Sequence, residues 1–210
     1  MAYKYATGSI RRGDIYYEDD TGKNTYLDWA EDELDIVVGA KSMIKMVEAA
    51  TDKITINNGG SDVDLQIKSN NNANLIRTDG GNDRVGIGIS SPGSTFEVSG
   101  SQAGNYTQAA GNLTVNETHY IVDYTGDGAA TFTLPDVSGI TGRTYHIISH
   151  NQHETAALTI TGSGGQFQGP NLDDDSNSID IDGWVPQSVT VVSTGGNWFI
   201  LTDNRSQGPE

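Results

Sequence analysis

From Arg84 onward every second side chain is aliphatic, and the residues between are almost bare. Val85, Ile87 and Ile89 alternate with Gly86, Gly88 and Ser90. A period of two is that of a β-strand with one apolar face. Glycine weakens a strand and usually marks a place where another stretch of backbone comes close. Close approach over the bare face is therefore expected here. Pro92-Gly93 then turns the chain, and Phe96 and Val98 open a second short alternation.

The stretch Arg84 to Gly100, RVGIGISSPGSTFEVSG, resembles the VGIGT-x-x-P-x-x-x-L-x-V-x-G segment of tail fibres and related appendages of tailed bacteriophages. There it often marks the end of a β-rich shaft. Ile89 stands for the usual Thr and Phe96 for the usual Leu, and both keep a β-branched or apolar side chain. The preceding DLQIKSNNNANLIRTDGGND, Asp64 to Asp83, is also typical of such shafts. The resemblance implies a viral structural protein that associates as a homotrimer and presents a C-terminal head.

An internal repeat precedes this segment. Glu33–Val38 (ELDIVV) resembles Asp62–Ile67 (DVDLQI), and Asp52–Ile56 (DKITI) resembles Asp83–Ile87 (DRVGI). Thr25–Trp29 reads as the strand of a truncated earlier copy. One such unit holds too few apolar residues to fold alone. Three chains around one axis would bury Ile36, Val38, Ile54, Ile56, Leu65, Ile67, Val85 and Ile87 against their symmetry mates. The segment AKSMIKMVEAA, Ala40 to Ala50, also fits a short helix by its Met43, Met46, Val47 and Ala50 spacing. The matching part of the next repeat is non-helical, so strand or turn is expected.

Beyond Leu113 the strands lengthen and turn signals recur. Candidates are 119–124, 130–134, 144–149, 157–161, 178–181, 187–193 and 198–202, with Thr194-Gly195-Gly196-Asn197 as a hairpin turn. Seven short strands predict an antiparallel β-sandwich, jelly-roll-like in type. The expected class is all-β throughout. Residues 1–32 form an attachment segment, 33–99 a repetitive shaft, 100–112 a small, polar linker, and 113–210 the sandwich head. The strand rhythm and the closing GGNWFIL of that head also resemble C-terminal domains of phage fibres.

Composition supports association and excludes several partners. Of 210 residues only 35% are hydrophobic, which is thin for a single core. Twelve Lys and Arg against 28 Asp and Glu give a net charge of -16, which argues against binding nucleic-acid phosphates or an anionic membrane. That acidity keeps an edge-rich β-protein soluble. Cysteine is absent, which removes disulfides and thiolate metal sites. No secretory signal is visible, so synthesis in a host cytoplasm and residence in the virion are expected. The start reverses the sign of the chain. Tyr3, Tyr5, Tyr16 and Tyr17 with Arg11 and Arg12 suit docking onto another, acidic virion protein.

Candidate ligand sites are few. Aromatics beside Asn, Gln and Asp suit sugar faces and hydroxyls, which nominates Tyr145, Phe167, Trp184 and Trp198 for binding a host-surface glycan. Packing of the same rings into the sandwich is the competing reading. Trp198 and Phe199 adjoin in a strand, so one faces the core and the other faces out. His150, His153 and Glu154 lack a zinc spacing, and His146 fits a sandwich interior or a trimer axis. Asp173, Asp174 and Asp175 could cradle a calcium-like cation, but the EF-hand spacing is missing and a solvated loop is the default. Carboxylates such as Asp123, Asp127 and Glu97 are too common for a chance pair to indicate a glycosidase. Neither an enzyme nor a cofactor is expected. Alternatives to a receptor-binding fibre are a head fibre, decoration protein or spacer that binds no receptor and, further off, a glycan-degrading tailspike.

Overall fold

The computed structural model describes residues 15–16, 21–22, 24–150, 158–170, 172, 175–181 and 186–205. Among them there is no helix, and the chain is all-β as expected. It divides into two compact units, Met1–Gln102 and Ala103–Glu210.

The first unit opens with β1 (Ile15–Tyr16), β2 (Tyr26–Ala30), β3 (Glu33–Val38), β4 (Lys41–Val47) and β5 (Lys53–Ile56). They form one antiparallel meander in sequence order. The β2–β3 and β3–β4 links are two residues each. Gly39 and Ala40, both at positive φ (58° and 61°), make the two-residue link between β3 and β4. That backbone matches the twist of a hairpin. Residues 40–50 thus contain β4 and no helix. Their helical spacing loses to the pairing of Ile44 and Met46 with neighbouring strands, and Met43 sits at a bulge between β3 and β4.

The sheet also corrects the expected boundary at residue 32. β1 and β2 pair into the same meander as β3–β5, so these two strands belong to one sheet with the start of the expected shaft.

A second sheet follows, with β6 (Gln66–Ile67), β7 (Ile76–Asp79), β8 (Arg84–Ile87) and β9 (Phe96–Val98). β6, β7 and β8 are antiparallel neighbours, whereas β9 lies parallel to β8. The link from Gly88 to Thr95 is short for a parallel connection, which normally needs a dozen residues or more. It closes because the chain folds back on the bare face of β8. Pro92 is buried beside Gly86, and Arg84 Nη1 donates to the Pro92 carbonyl at 2.8 Å. Gly88, at φ 74°, donates its N–H to the Asn74 carbonyl at 2.9 Å.

The second unit consists of β10 (Tyr106–Ala109), β11 (Leu113–Thr114), β12 (Ile121–Tyr124), β13 (Ala130–Leu134), β14 (Thr144–Ser149), β15 (Leu158–Gly162), β16 (Phe167–Gln168), β17 (Ser178–Ile181), β18 (Gln187–Ser193) and β19 (Trp198–Asp203). A six-stranded sheet runs β10-β12-β14-β18-β19-β16, and a four-stranded sheet runs β11-β13-β15-β17.

Strand direction departs from the expected antiparallel, jelly-roll-like pattern. From β10 to β15 the chain alternates between the two sheets, and each strand lies parallel to its predecessor in the same sheet. It therefore winds around the core in coils before β17, β18 and β19 close it with antiparallel pairs. A period-two pattern specifies which face is buried but not which way a strand runs. β10 also belongs to these sheets, so Tyr106–Ala109 of the expected linker 100–112 is part of the fold.

Inward residues of the two sheets meet in one core. Val122, Tyr124, Phe132, Leu134, Tyr145, Ile147, Leu158, Ile160, Val189, Val191, Trp198 and Ile200 are all buried. By contrast, Val37 is the only large aliphatic side chain described as buried in the first unit. The two units differ in kind: one closes its own core and the other does not.

Candidate functional site

Register shows where the apolar residues of the first unit go. Across the first sheet, Ile15, Leu27, Ile36, Ile44 and Ile56 stand opposite one another in one row. Two positions along, Trp29, Leu34, Met46 and Ile54 form a second row on the same face. Val38 alternates with Ile36 and shares that face. The opposite face carries Asp28, Asp35, Lys45 and Thr55 in one row. There Lys45 pairs with Glu33 at 2.7 Å, and the Glu33 hydrogen bond holds the Lys45 ammonium above its ordinary pKa.

It is the apolar face that lies open. Ile54 is 71% exposed and Ile15 55%, and Trp29, Val38, Met46 and Ile56 are exposed as well.

The second sheet repeats the arrangement. Ile67, Ile76, Ile87 and Val98 make one row across all four strands. Thr78, Val85 and Phe96 make the next, with Leu65 joined to Thr78 by two hydrogen bonds of 3.0 and 2.8 Å. Gln66, Arg77, Gly86 and Glu97 occupy the other face. Phe96, Ile67 and Val85 are exposed. All eight residues expected to form a trimer core thus fall on the apolar faces of these two sheets, and none is buried within the single chain.

On the polar side Arg77 pairs with Asp64 at 2.8 Å. The Gly80 N–H, then the Arg77 guanidinium, hold the Asp64 carboxyl below its ordinary pKa. Glu97 accepts a hydrogen bond from the Gly93 N–H, so this carboxylate anchors the turn after Pro92.

In the second unit three of the nominated sugar-binding aromatics are core residues. Tyr145, Phe167 and Trp198 are each 0% exposed. Tyr145 alternates inward with Ile147, and its hydroxyl donates to the Asn116 carbonyl at 3.1 Å. Trp198 alternates inward with Ile200, and its ring centroid lies 5.8 Å from that of Tyr145. Phe167, expected on a recognition loop, is drawn into the core because β16 pairs with β19 and sets it opposite Trp198. Phe199 points outward, as the Trp-Phe alternation requires. Trp184 lies outside the described residues.

A polar aromatic cluster occupies the outer face of the six-stranded sheet instead. Tyr106, Ile121, His146, Thr190 and Thr202 form one outward row across five strands. Tyr120 adds its ring edge-on to His146, centroids 4.9 Å apart, and His146 Nε2 lies 3.2 Å from the Tyr120 hydroxyl. The other ring nitrogen, Nδ1, is 3.0 Å from Thr190 Oγ1, so His146 is satisfied within the sheet. Asp123 is buried although it faces outward. It accepts the Tyr106 hydroxyl and has His150 Nδ1 at 2.9 Å. The Asp123 hydrogen bond holds the Tyr106 phenol above its ordinary pKa. Gln108 Nε2 donates to the Tyr106 oxygen at 3.0 Å. Tyr106 and Tyr120 remain 51% and 41% exposed. Sequence reasoning missed Tyr106 because it sits in the stretch taken for a linker.

The remaining candidates are soon placed. Asp175 accepts from Gln168 Nε2 at 2.9 Å, while Asp173 and Asp174 lie outside the described residues. Among the described residues no group of three His, Cys, Asp or Glu is placed to hold a metal ion. Tyr3, Tyr5, Arg11, Arg12 and Tyr17 fall outside the described residues too. Tyr16 is in β1, paired with Tyr26. Set against protein-family models, curated proteins and solved structures, the chain matches none of them.

Proposed function

We propose that the chain is a structural protein of a tailed-phage virion, a homotrimeric fibre or spike component. The observation that carries this reading is the pair of open apolar faces in the first unit. Apolar surface gains roughly 25 cal/mol for each Å² removed from water. A sheet that turns its aliphatic face outward and its charges to the other side is built to be covered. Copies of the chain supply such a cover, and closed symmetry with three of them leaves no free face. The fibre-like segment Arg84–Gly100 supplies the viral context, and docking to other virion proteins through the N-terminal stretch remains part of the proposal.

A host-surface glycan is the proposed ligand of the second unit, through the exposed rings of Tyr106 and Tyr120 with Gln108, Thr190 and His146 beside them. Aromatic faces flanked by hydrogen-bonding groups suit sugars. A second reading, a head fibre, decoration or spacer protein that binds no receptor, is favoured by the burial of Tyr145, Phe167 and Trp198. Antibody labelling of particles in the electron microscope tests the virion assignment: label on an appendage supports it, and unlabelled particles refute it. A glycan array with the full chain and its Tyr106→Ala and Tyr120→Ala variants separates the two roles. Binding lost in the variants supports recognition, whereas an array without signal supports the spacer.

A further inference from the structure

We infer that the outer face of the six-stranded sheet takes a free amino group at Asp123, so that its glycan is one of amino sugars whose nitrogens are not acetylated. This rests on the glycan reading of Tyr106 and Tyr120 given above and adds the chemical class of the sugar.

The Asp123 carboxylate carries it. Asp123 lies between the inward Val122 and Tyr124 and faces outward from β12, yet it is only 1% exposed. Its Oδ2 accepts the Tyr106 hydroxyl, while its buried Oδ1 accepts no hydrogen bond among the described residues. A buried carboxylate oxygen left without a donor is costly. Nor is a lasting cation at hand. Arg143 and Arg205 are the only Lys or Arg between 103 and 210. Arg143 precedes β14 whereas His150 follows it, so that arginine stands at the far end of the strand. Arg205 is held by Asp203. Only His150 comes near, with Nδ1 2.9 Å from Oδ1 and a half-exposed side chain. Its backbone N–H donates to the Tyr124 carbonyl at 3.0 Å, so the ring can turn away while the sheet stays as it is. An ammonium group is a compact charge with three donors, and in place of the imidazole it supplies the hydrogen bond that Oδ1 lacks. The half-exposed Tyr106 ring beside it offers a face that attracts a cation and packs on a sugar. Gln108, opposite Asp123 in the register, is exposed and can bond sugar hydroxyls. The net charge of -16 draws a cationic polymer toward the chain. An acetylated nitrogen has no charge and a single N–H, and gains far less.

The test titrates a glucosamine oligomer and its N-acetylated counterpart of equal length into the full-length chain by calorimetry, in buffer acidic enough to keep the amines charged. The free-amine oligomer should bind about tenfold more tightly, the scale of one hydrogen bond to a charged group. Asp123→Asn should erase that preference, whereas Asp127→Asn, at an exposed carboxylate outside the cluster, should leave it. His150→Ala uncovers Oδ1 and should tighten binding of the free-amine oligomer. If Asp123→Asn does not fold, His150→Ala at its half-exposed position decides alone. Equal affinity for the two oligomers overturns the inference and leaves the glycan reading standing. So does an equal loss in Asp123→Asn and Asp127→Asn, which would mean general charge attraction, or a His150→Ala variant that binds the amine more weakly. If neither oligomer binds, the inference falls, and the glycan array separately decides whether the site takes sugars at all.

Discussion

Ile89 folds back over Gly86 so closely that a Cβ on Gly86 would lie 2.8 Å from Ile89 Cγ2 and 3.2 Å from the Ile89 carbonyl oxygen. Pro92 Cβ would stand 3.5 Å away on the same side. The missing side chain is what lets the chain cross β8 and return as a parallel strand. Gly86→Ala therefore forces the crossing apart. Overpacking of this kind costs about 1–3 kcal/mol. Denaturant unfolding of the variant should show that loss, and an unchanged midpoint would contradict the close approach.

Trp198 provides a test of core against surface. Its side chain is fully buried beside Tyr145, and Trp198→Ala should cost about 3–5 kcal/mol, as for other large aromatic truncations. Among the described residues its indole N–H has no acceptor, so Trp198→Phe should cost much less. Equal losses for the two variants, read by thermal unfolding, would contradict this account of the site.

Gly104 bears on the outer aromatic cluster. A Cβ there would fall 1.9 Å from Tyr120 Cδ1, so Gly104→Ala must push the ring from its place against His146. The His146 ring protons should shift in the NMR spectrum while the inner core signals stay put. An unmoved His146 would show that Tyr120 does not rest on Gly104.

Acid should weaken the link between Asp64, Gly80 and Arg77. The folded Asp64 carboxyl titrates below its ordinary value, because the Gly80 N–H and Arg77 favour its charged form. Its contribution to stability is then present above about pH 4 and lost as pH falls through the lower folded value. Asp64→Asn should melt below the wild type at neutral pH, and the gap should narrow toward about pH 3. A gap that widens in acid would reverse the assigned sign.

Much of this fold could be read from alternation. β13, β14, β17 and β18 fall at the expected residues, because Phe132, Tyr145, Ile179 and Val189 each begin or continue an inward period of two. The same rule put Ile36, Ile54, Ile67 and Ile87 on shared faces. Strand direction was not legible, since alternation is the same read either way. Nor was β10. Tyr106-Thr107-Gln108-Ala109 has no pattern of its own and becomes a strand by pairing with Ile121–Tyr124. Tyr145, Phe167 and Trp198 looked like binding residues because an aromatic suits a sugar and a core equally well. The pairing of β16 with β19, which fills the core with two of them, is a long-range contact that composition does not report.

Folding of the first unit should depend on concentration. With Val37 its only large aliphatic described as buried, residues 24–102 have little to offset the chain entropy of order, which is about 1–2 kcal/mol per residue. Backbone amides there should exchange quickly with deuterium in dilute protein and slowly in concentrated protein. Amides of β14, β18 and β19 should stay protected in both. Concentration-independent protection of the first unit would mean that it holds itself together.

The most direct test is the mass of the full-length chain in solution by light scattering, with and without mild denaturant. Closure of the two apolar faces by copies of the chain predicts three times 22.4 kDa, retained in mild denaturant. A stable species of 22.4 kDa with a folded first unit would contradict it.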